Sequence, residues 1–262
     1  LQNLIGRPGA FFDAYCQNGQ AGRLYFSRAN GLHIQAVRDQ IADWAEAGLI
    51  TENERLWLIA CLLEAADAVA NTASVYAAHL KHLKRSARKA LQLKALSPTP
   101  SPHPAHRHRV FCRDALDLLP TLSPATLTYI DPPYNSRQYG TYYHILETLT
   151  RWDLDDFEPQ GRTGLRAAGA QRSGFCLKRQ VEGQFQALFE CLRTEYVLLS
   201  YSNEGLVSEQ FLLSLFKQYF QLIRTKRIPH RRFRADVDHK GRRYRDSSTR
   251  ELLILGRCPN PD

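Results

Sequence analysis

The spacing of apolar positions changes along this chain, and with it the kind of element predicted. Ile34, Val37, Ile41 and Trp44 recur at helical intervals and predict a helix over about 32–47, stopped by Gly48. Thr51-Glu-Asn-Glu54 sets a hydroxyl three residues ahead of a glutamate. That is a capping box, so a long apolar helix is expected over about 55–70. A third, basic helix is expected over about 74–93, and residues 1–30 read as irregular apart from a short strand at 23–26. The run SPTPSPHPAHRH, Ser97 to His108, cannot continue a helix and reads as a surface linker.

Beyond the linker, strands and helices alternate. Strands are expected at 109–112, 126–130 and 196–201, with a helical turn at 115–119 and helices at 181–193 and 208–220. Residues 221–233 and 251–255 read as a closing pair of strands. The expected domains are a mostly helical region 1–96, a linker 97–108 and an α/β half 109–262. Apolar strands joined by helices predict an open parallel sheet covered on both faces. Ligands of such sheets bind beyond the carboxyl ends of the strands.

One strand ends in an unusual way. Residues Tyr129 to Tyr143 read YIDPPYNSRQYGTYY, so the apolar run stops at Asp131 and two prolines follow. Pro132 and Pro133 lack N–H groups and cannot extend a ladder, but their carbonyls remain acceptors. They also restrict the residue before each of them to extended or turn geometry. The product is a stiff corner offering a carboxylate, a free carbonyl and the ring of Tyr134. That set suits a planar amino group on a flat ring, because two acceptors take its two hydrogens and the aromatic side chain stacks on its face. A base inside a duplex must be flipped out to reach such a corner.

Composition adds a partner. The 262 residues carry a net charge of +9, which suggests a polyanion such as nucleic acid, although a merely basic soluble enzyme has the same balance. Cys16, Cys61, Cys112, Cys176, Cys191 and Cys258 form no C-x-x-C pair and are expected as reduced thiols in a cytoplasmic protein without a metal. His103, His106 and His108 lie in the linker with no cysteine or acid beside them and are expected to be solvated. No run is long enough to span a membrane and no signal peptide is visible. The chain contains no methionine and opens on Leu1, so it is expected to be a fragment whose N-terminal strands are missing.

YIDPPYNSRQY resembles the catalytic motif of the adenine-specific DNA methyltransferases of restriction–modification systems. LLEAADAVANTASVYAAHLKHLK, YYHILETLTRWD, GRTGLR and LLSYSNEGL are similar to further blocks of that family, so the resemblance covers nearly the whole chain. It implies a Rossmann-like α/β methyltransferase sheet with a helical target-recognition insert, S-adenosyl-L-methionine as cofactor and double-stranded DNA as substrate. It allows a cognate restriction endonuclease as partner. Asp131 and Pro132 would hold the target amino group, Pro133 would shape the loop and Tyr134 would stack on the flipped adenine. Asp131 and Asp114 would also face the cofactor, although Asp114 is equally placed to cap a helix. The family's F-x-G-x-G loop is not found here, which leaves a non-catalytic DNA-binding fragment as a rival reading. An RNA adenine methyltransferase is another, and a cytosine enzyme is disfavoured because Asp131 stands where those enzymes usually carry serine.

Basic runs mark candidate DNA contacts. Lys81, Lys84 and Arg85 lie on the expected third helix, Arg137 follows the catalytic corner, and Arg231 and Arg232 lie in the closing strand pair with Arg224, Lys226 and Arg227. A loop with Lys240, Arg242, Arg243 and Arg245 follows. Asn71, Thr72 and Ser74 interrupt an apolar helix and suit either contact with DNA or cofactor or local hydrogen bonds at a helix junction, the second slightly favoured.

Overall fold

The computed structural model describes residues 1–73, 75–97, 108–166, 172–231 and 248–259. In chain order the elements are α1 (Ala10–Tyr15), α2 (Arg28–Glu46), α3 (Glu52–Ala68), α4 (Ala115–Leu118), β1 (Ala125–Ile130), α5 (Tyr139–Tyr142), α6 (His144–Arg151), α7 (Val181–Glu190), β2 (Thr194–Ser202), α8 (Glu209–Tyr219), β3 (Gln221–Arg231) and β4 (Ser248–Arg257). They form two compact units. One comprises Leu1–His103 with Tyr139–Gln171, the other Pro104–Gln138 with Arg172–Asp262. Residues 139–171, expected with the α/β half, therefore pack with the helical region.

In the helical unit, α2 starts at Arg28, earlier than the apolar pattern indicates, because the Ser27 side chain accepts from the Asn30 N–H. It ends at Gly48, whose φ of 67° is the left-handed geometry that lets the last carbonyls be met. The capping box on α3 forms as the sequence predicts, with Thr51 and Glu54 each bonding the other's backbone N–H. Ile34, Val37 and Ile41 of α2 meet Ile59, Leu62 and Ala66 of α3 in a core that also takes Phe11, Tyr15 and Leu149. Arg38 is buried and donates to the Leu149 and Thr150 carbonyls at 2.8 and 3.2 Å, meeting acceptors that the end of α6 leaves open.

The third helix expected over 74–93 is not formed. Among its described residues only a 3₁₀ turn, Ser86–Arg88, is regular. Side-chain amides, those of Asn30 and Asn71 buried, supply the backbone bonds instead. Asn71 donates to the Leu24 and His82 carbonyls and accepts from the Lys84 N–H. Asn30 bonds Lys89 and Leu91 in the same two-way manner, and Gln2 bonds Leu91 and Leu93. The reading of Asn71 as a junction residue holds. Thr72 is half-buried with no such bonds recorded, and Ser74 lies outside the described residues.

The second unit contains a four-stranded sheet among the described residues, in the order β1-β2-β4-β3. Only β1 and β2 run parallel, whereas β4 is antiparallel to both β2 and β3. The sheet is thus mixed rather than all parallel, since β3 and β4 close it as a long hairpin-like pair. The strand expected at 109–112 is irregular, and the one at 23–26 reduces to a single bridge between Cys16 and Phe26. Val197, Leu199 and Tyr201 of β2 pack with Phe185 and Phe189 of α7 and Leu212 and Phe216 of α8. The register sets Leu127 and Tyr129 opposite Tyr196 and Leu198, on the other face. There Leu127 and Tyr129 are 51% and 56% exposed, so cover on both faces is not seen in full among the described residues. The linker expected at 97–108 lies mostly outside the described residues.

Candidate active site

Ile130 is the last residue of β1 and pairs with Leu199. Asp131 follows at the carboxyl end of the strand, where the prolines end the ladder as their missing N–H groups require. Its side chain is exposed and joins no salt bridge with a described residue. Neither the Asp131 carboxylate nor the Pro132 carbonyl accepts a hydrogen bond from a described group. Both acceptors therefore remain open, and Tyr134 beside them is 43% exposed.

The corner is held from behind. The Leu206 N–H donates to the Tyr134 carbonyl at 3.0 Å and also faces the Tyr201 hydroxyl at 3.1 Å. Tyr201 is buried, which raises the pKa of its phenol and keeps it neutral. Asn135 accepts from the Arg137 N–H at 2.9 Å, a local side-chain turn. The buried Cys176 thiol donates to the Arg137 carbonyl, and Gln138 exchanges two bonds with the backbone of Ser173. Burial raises the pKa of Cys176, so it stays a thiol and a donor.

The loop after β2 is fixed in turn. Asn203 accepts from the Thr249 hydroxyl and the Arg250 N–H, tying the end of β2 to the start of β4. Gly205 passes so close to Tyr201 that a Cβ there would lie 2.1 Å from the ring. These contacts align the carboxyl ends of β1 and β2 as one rim, the place where α/β sheets receive ligands.

The remaining candidates are dispersed. Asp114 caps α4, accepting from the Leu116 N–H at 2.9 Å, so the capping alternative is realised. Lys81 and Arg85 are exposed and Lys84 is half-buried, all on the irregular segment rather than on a helix. Arg137 is exposed, and Arg224 and Lys226 are exposed on β3. Arg227 pairs with Glu209 of α8. Arg232, Lys240, Arg242, Arg243 and Arg245 lie outside the described residues, as do the side chain of Arg231, His103 and His106.

All six cysteines are free, and no cluster of metal-ligating side chains occurs among the described residues. No described helix is long and apolar enough to cross a membrane. Sequence reasoning missed the supports of the corner. Gln138 lies 35 residues from Ser173 and Arg137 lies 39 from Cys176, and no local pattern links such distant pairs.

Comparison with known proteins gives the family. The family described as D12 class N6 adenine-specific DNA methyltransferase matches residues 2–213. The type II methyltransferase M.NlaIII of Neisseria lactamica is 41% identical over 257 residues, covering 97% of this chain and 73% of that protein. The type II methyltransferase M.FokI of Planomicrobium okeanokoites is 34% identical over 215 residues, covering 81% of this chain and 32% of that protein. The type II methyltransferase M.CviAII of Paramecium bursaria Chlorella virus 1 is 32% identical over 235 residues, covering 89% of this chain and 67% of that protein. No solved structure matches the chain. With the matched span running through Asp131, Tyr134 and Leu206, the chain belongs to the D12 class N6 adenine-specific DNA methyltransferase family.

Proposed function

We propose that this chain methylates the exocyclic amino group of adenine at a specific site in double-stranded DNA. The observation that carries the reading is a pair of acceptors that no described group bonds, the Asp131 carboxylate and the Pro132 carbonyl, at the carboxyl end of β1 in a chain of this family. The adenine amine is a weak nucleophile because its lone pair is delocalised into the ring. Two acceptors that take its two hydrogens favour a pyramidal nitrogen, and the carboxylate stabilises the positive charge that develops as the nitrogen attacks. Tyr134 offers a ring face for the extruded base. After transfer, the nitrogen loses a proton to solvent or to the acid.

S-adenosyl-L-methionine is the cofactor proposed, and when bound it supplies a methyl group activated on a sulfonium sulfur. The donor set fits it, with an open carboxylate at Asp131 and an Asp114 side chain that spends one oxygen on the α4 cap. Lys81, Lys84, Arg85, Arg137, Arg231 and Arg232 are assigned to DNA phosphates. We read the sheet as one part of a Rossmann-like methyltransferase sheet. Its unpaired β1 edge and the exposed Leu127 and Tyr129 are suited to further strands and a covering layer. The relatives' naming as type II methyltransferases supports a role in a restriction–modification system; a cognate endonuclease as partner and the cytoplasm as place of action complete the proposal.

Asp131→Ala tests the reading. Methyl transfer to adenine in duplex DNA should fall by at least about 10²–10³-fold, the scale on which loss of one charge-stabilising group acts. DNA affinity should stay within about twofold, because the phosphate contacts are untouched. Unchanged turnover would remove Asp131 from the chemistry, and product digestion to nucleosides identifies the methylated base and sugar.

A further inference from the structure

We propose that Gln138 is a positioning residue for methyl transfer, a two-point clasp that fixes the far end of the Asp131–Gln138 loop. Its Nε2 donates to the Ser173 carbonyl at 3.1 Å and its Oε1 accepts from the Ser173 N–H at 2.9 Å. A primary amide carries a donor and an acceptor side by side, so at neutral pH it can do both at one residue's backbone. Two bonds to the same residue fix orientation as well as distance.

Ser173 is itself tied into the unit. Its hydroxyl caps the short turn Gly174–Cys176 by accepting from the Phe175 N–H. Phe175 is buried against Phe185 at 5.3 Å, and Cys176 is buried while its thiol bonds the Arg137 carbonyl. The clasp thus ties the loop to the sheet unit's hydrophobic core.

Its place in the chain explains the need for it. The first end of the loop is set by β1, and the middle hangs on one Leu206 N–H that also faces Tyr201. At Gln138 the chain leaves this unit, and it returns at Arg172. The clasp therefore joins the exit to the re-entry. Without it, the end of the loop that carries Asp131 and Tyr134 loses its two-point anchor at Ser173. A misplacement of about 1 Å can cost about 10²-fold in rate.

The role rests on the methyltransferase reading above, and the test separates the two. In the full-length protein, Gln138→Ala should slow single-turnover methyl transfer by about 10- to 100-fold, with the DNA dissociation constant within about twofold. An unchanged rate overturns the proposal. So does an affinity loss that accounts for the whole rate loss, since that marks a direct DNA contact. Gln138→Glu keeps the acceptor but sets a carboxylate against the Ser173 carbonyl. Its rate relative to the parent should rise as pH is lowered and the new carboxyl regains a proton to donate, whereas a flat ratio counts against the clasp. Hydrogen exchange at the Ser173 and Leu206 amides decides the question without catalysis. Protection in the parent that is lost in Gln138→Ala supports the clasp, and equal protection refutes it. If the parent fails to methylate adenine, the functional reading falls and this exchange measurement alone judges the clasp.

Discussion

Two loops of this protein present main-chain carbonyls, and they do so in opposite ways. In the Asp131–Gln138 loop no described group bonds the Pro132 carbonyl or the Asp131 carboxylate, and the loop is supported by a few contacts behind it. The loop at 159–164, in the helical unit, turns almost every carbonyl inward. Arg23 donates to the carbonyls of Pro159, Gly161 and Arg162, and to that of Ala14. Tyr15 donates to Gly164 and Tyr25 to Thr163, and a ring nitrogen of His144 meets Thr163 as well. The first loop spends few of its acceptors on the fold, so they can serve a substrate. The second has none to spare, so its role in the fold is structural. Open acceptors, rather than polar residues as such, distinguish a site from a brace.

The sharpest way to break the comparison is Arg23→Ala. Arg23 is buried at 9% exposure, and its removal strands several carbonyls at once. Stability of the helical unit should fall by about 3–5 kcal/mol, the sum of lost charge-assisted bonds and acceptors left dry. Denaturant unfolding measures it, and a loss below about 1 kcal/mol would show that water replaces the guanidinium freely. Asp131→Ala should behave in the reverse manner, abolishing turnover with little change in unfolding, because no described group depends on that carboxylate.

A smaller effect is expected at Gly164. Its φ of 70° is left-handed, and a Cβ there would lie 2.7 Å from the Tyr15 ring and 2.9 Å from the Arg23 guanidinium. Gly164→Ala should therefore cost about 2–3 kcal/mol, combining backbone strain with displacement of two buried side chains. Gly161 provides the control within the same loop. It has a φ of 64° but open space around the added carbon, so Gly161→Ala should cost only about 1 kcal/mol. Equal losses at the two positions would mean that backbone strain alone matters and that the packing of the brace does not.

How far the sequence reveals each region follows from the range of the interactions. The capping box, α2, α3, β1 and the proline corner depend on neighbours within a few residues, and their patterns predict them. The segment over about 74–93 reads as a basic helix from its composition, yet Asn30, Asn71 and Gln2 capture its backbone from elsewhere in the chain. The sheet reads as parallel because buried strands look alike in either direction, while the pairing of β2 with β4 is set by a connection that periodicity does not see. In the same way, Asp131 and Tyr134 are visible as a motif, but Gln138 is not visible as their support. Chemistry written into a short motif is legible, and the distant contacts that aim it are not.

The smallest effect separates the two loops by pH. His144 is buried, with Nδ1 2.9 Å from the Thr141 carbonyl and Nε2 2.9 Å from the Thr163 carbonyl. Two carbonyls favour the imidazolium, but burial and the nearby charges of Arg23 and Arg166 outweigh them and lower its pKa below 6.5. The ring is then neutral near pH 7 and can donate only once. It donates to the Thr141 or the Thr163 carbonyl according to its tautomer, and the other carbonyl then faces an unprotonated ring nitrogen. A lowered pKa means that the unfolded chain binds more protons than the folded one as pH falls through the unfolded value near 6.5. Stability of the helical unit is therefore full above about pH 6.5 and declines below it, until the folded pKa is passed. His144→Gln should flatten that slope while keeping a donor in place. If the parent instead gains stability between pH 7 and 5 through this residue, the two carbonyls outweigh burial, and the brace holds a charged histidine.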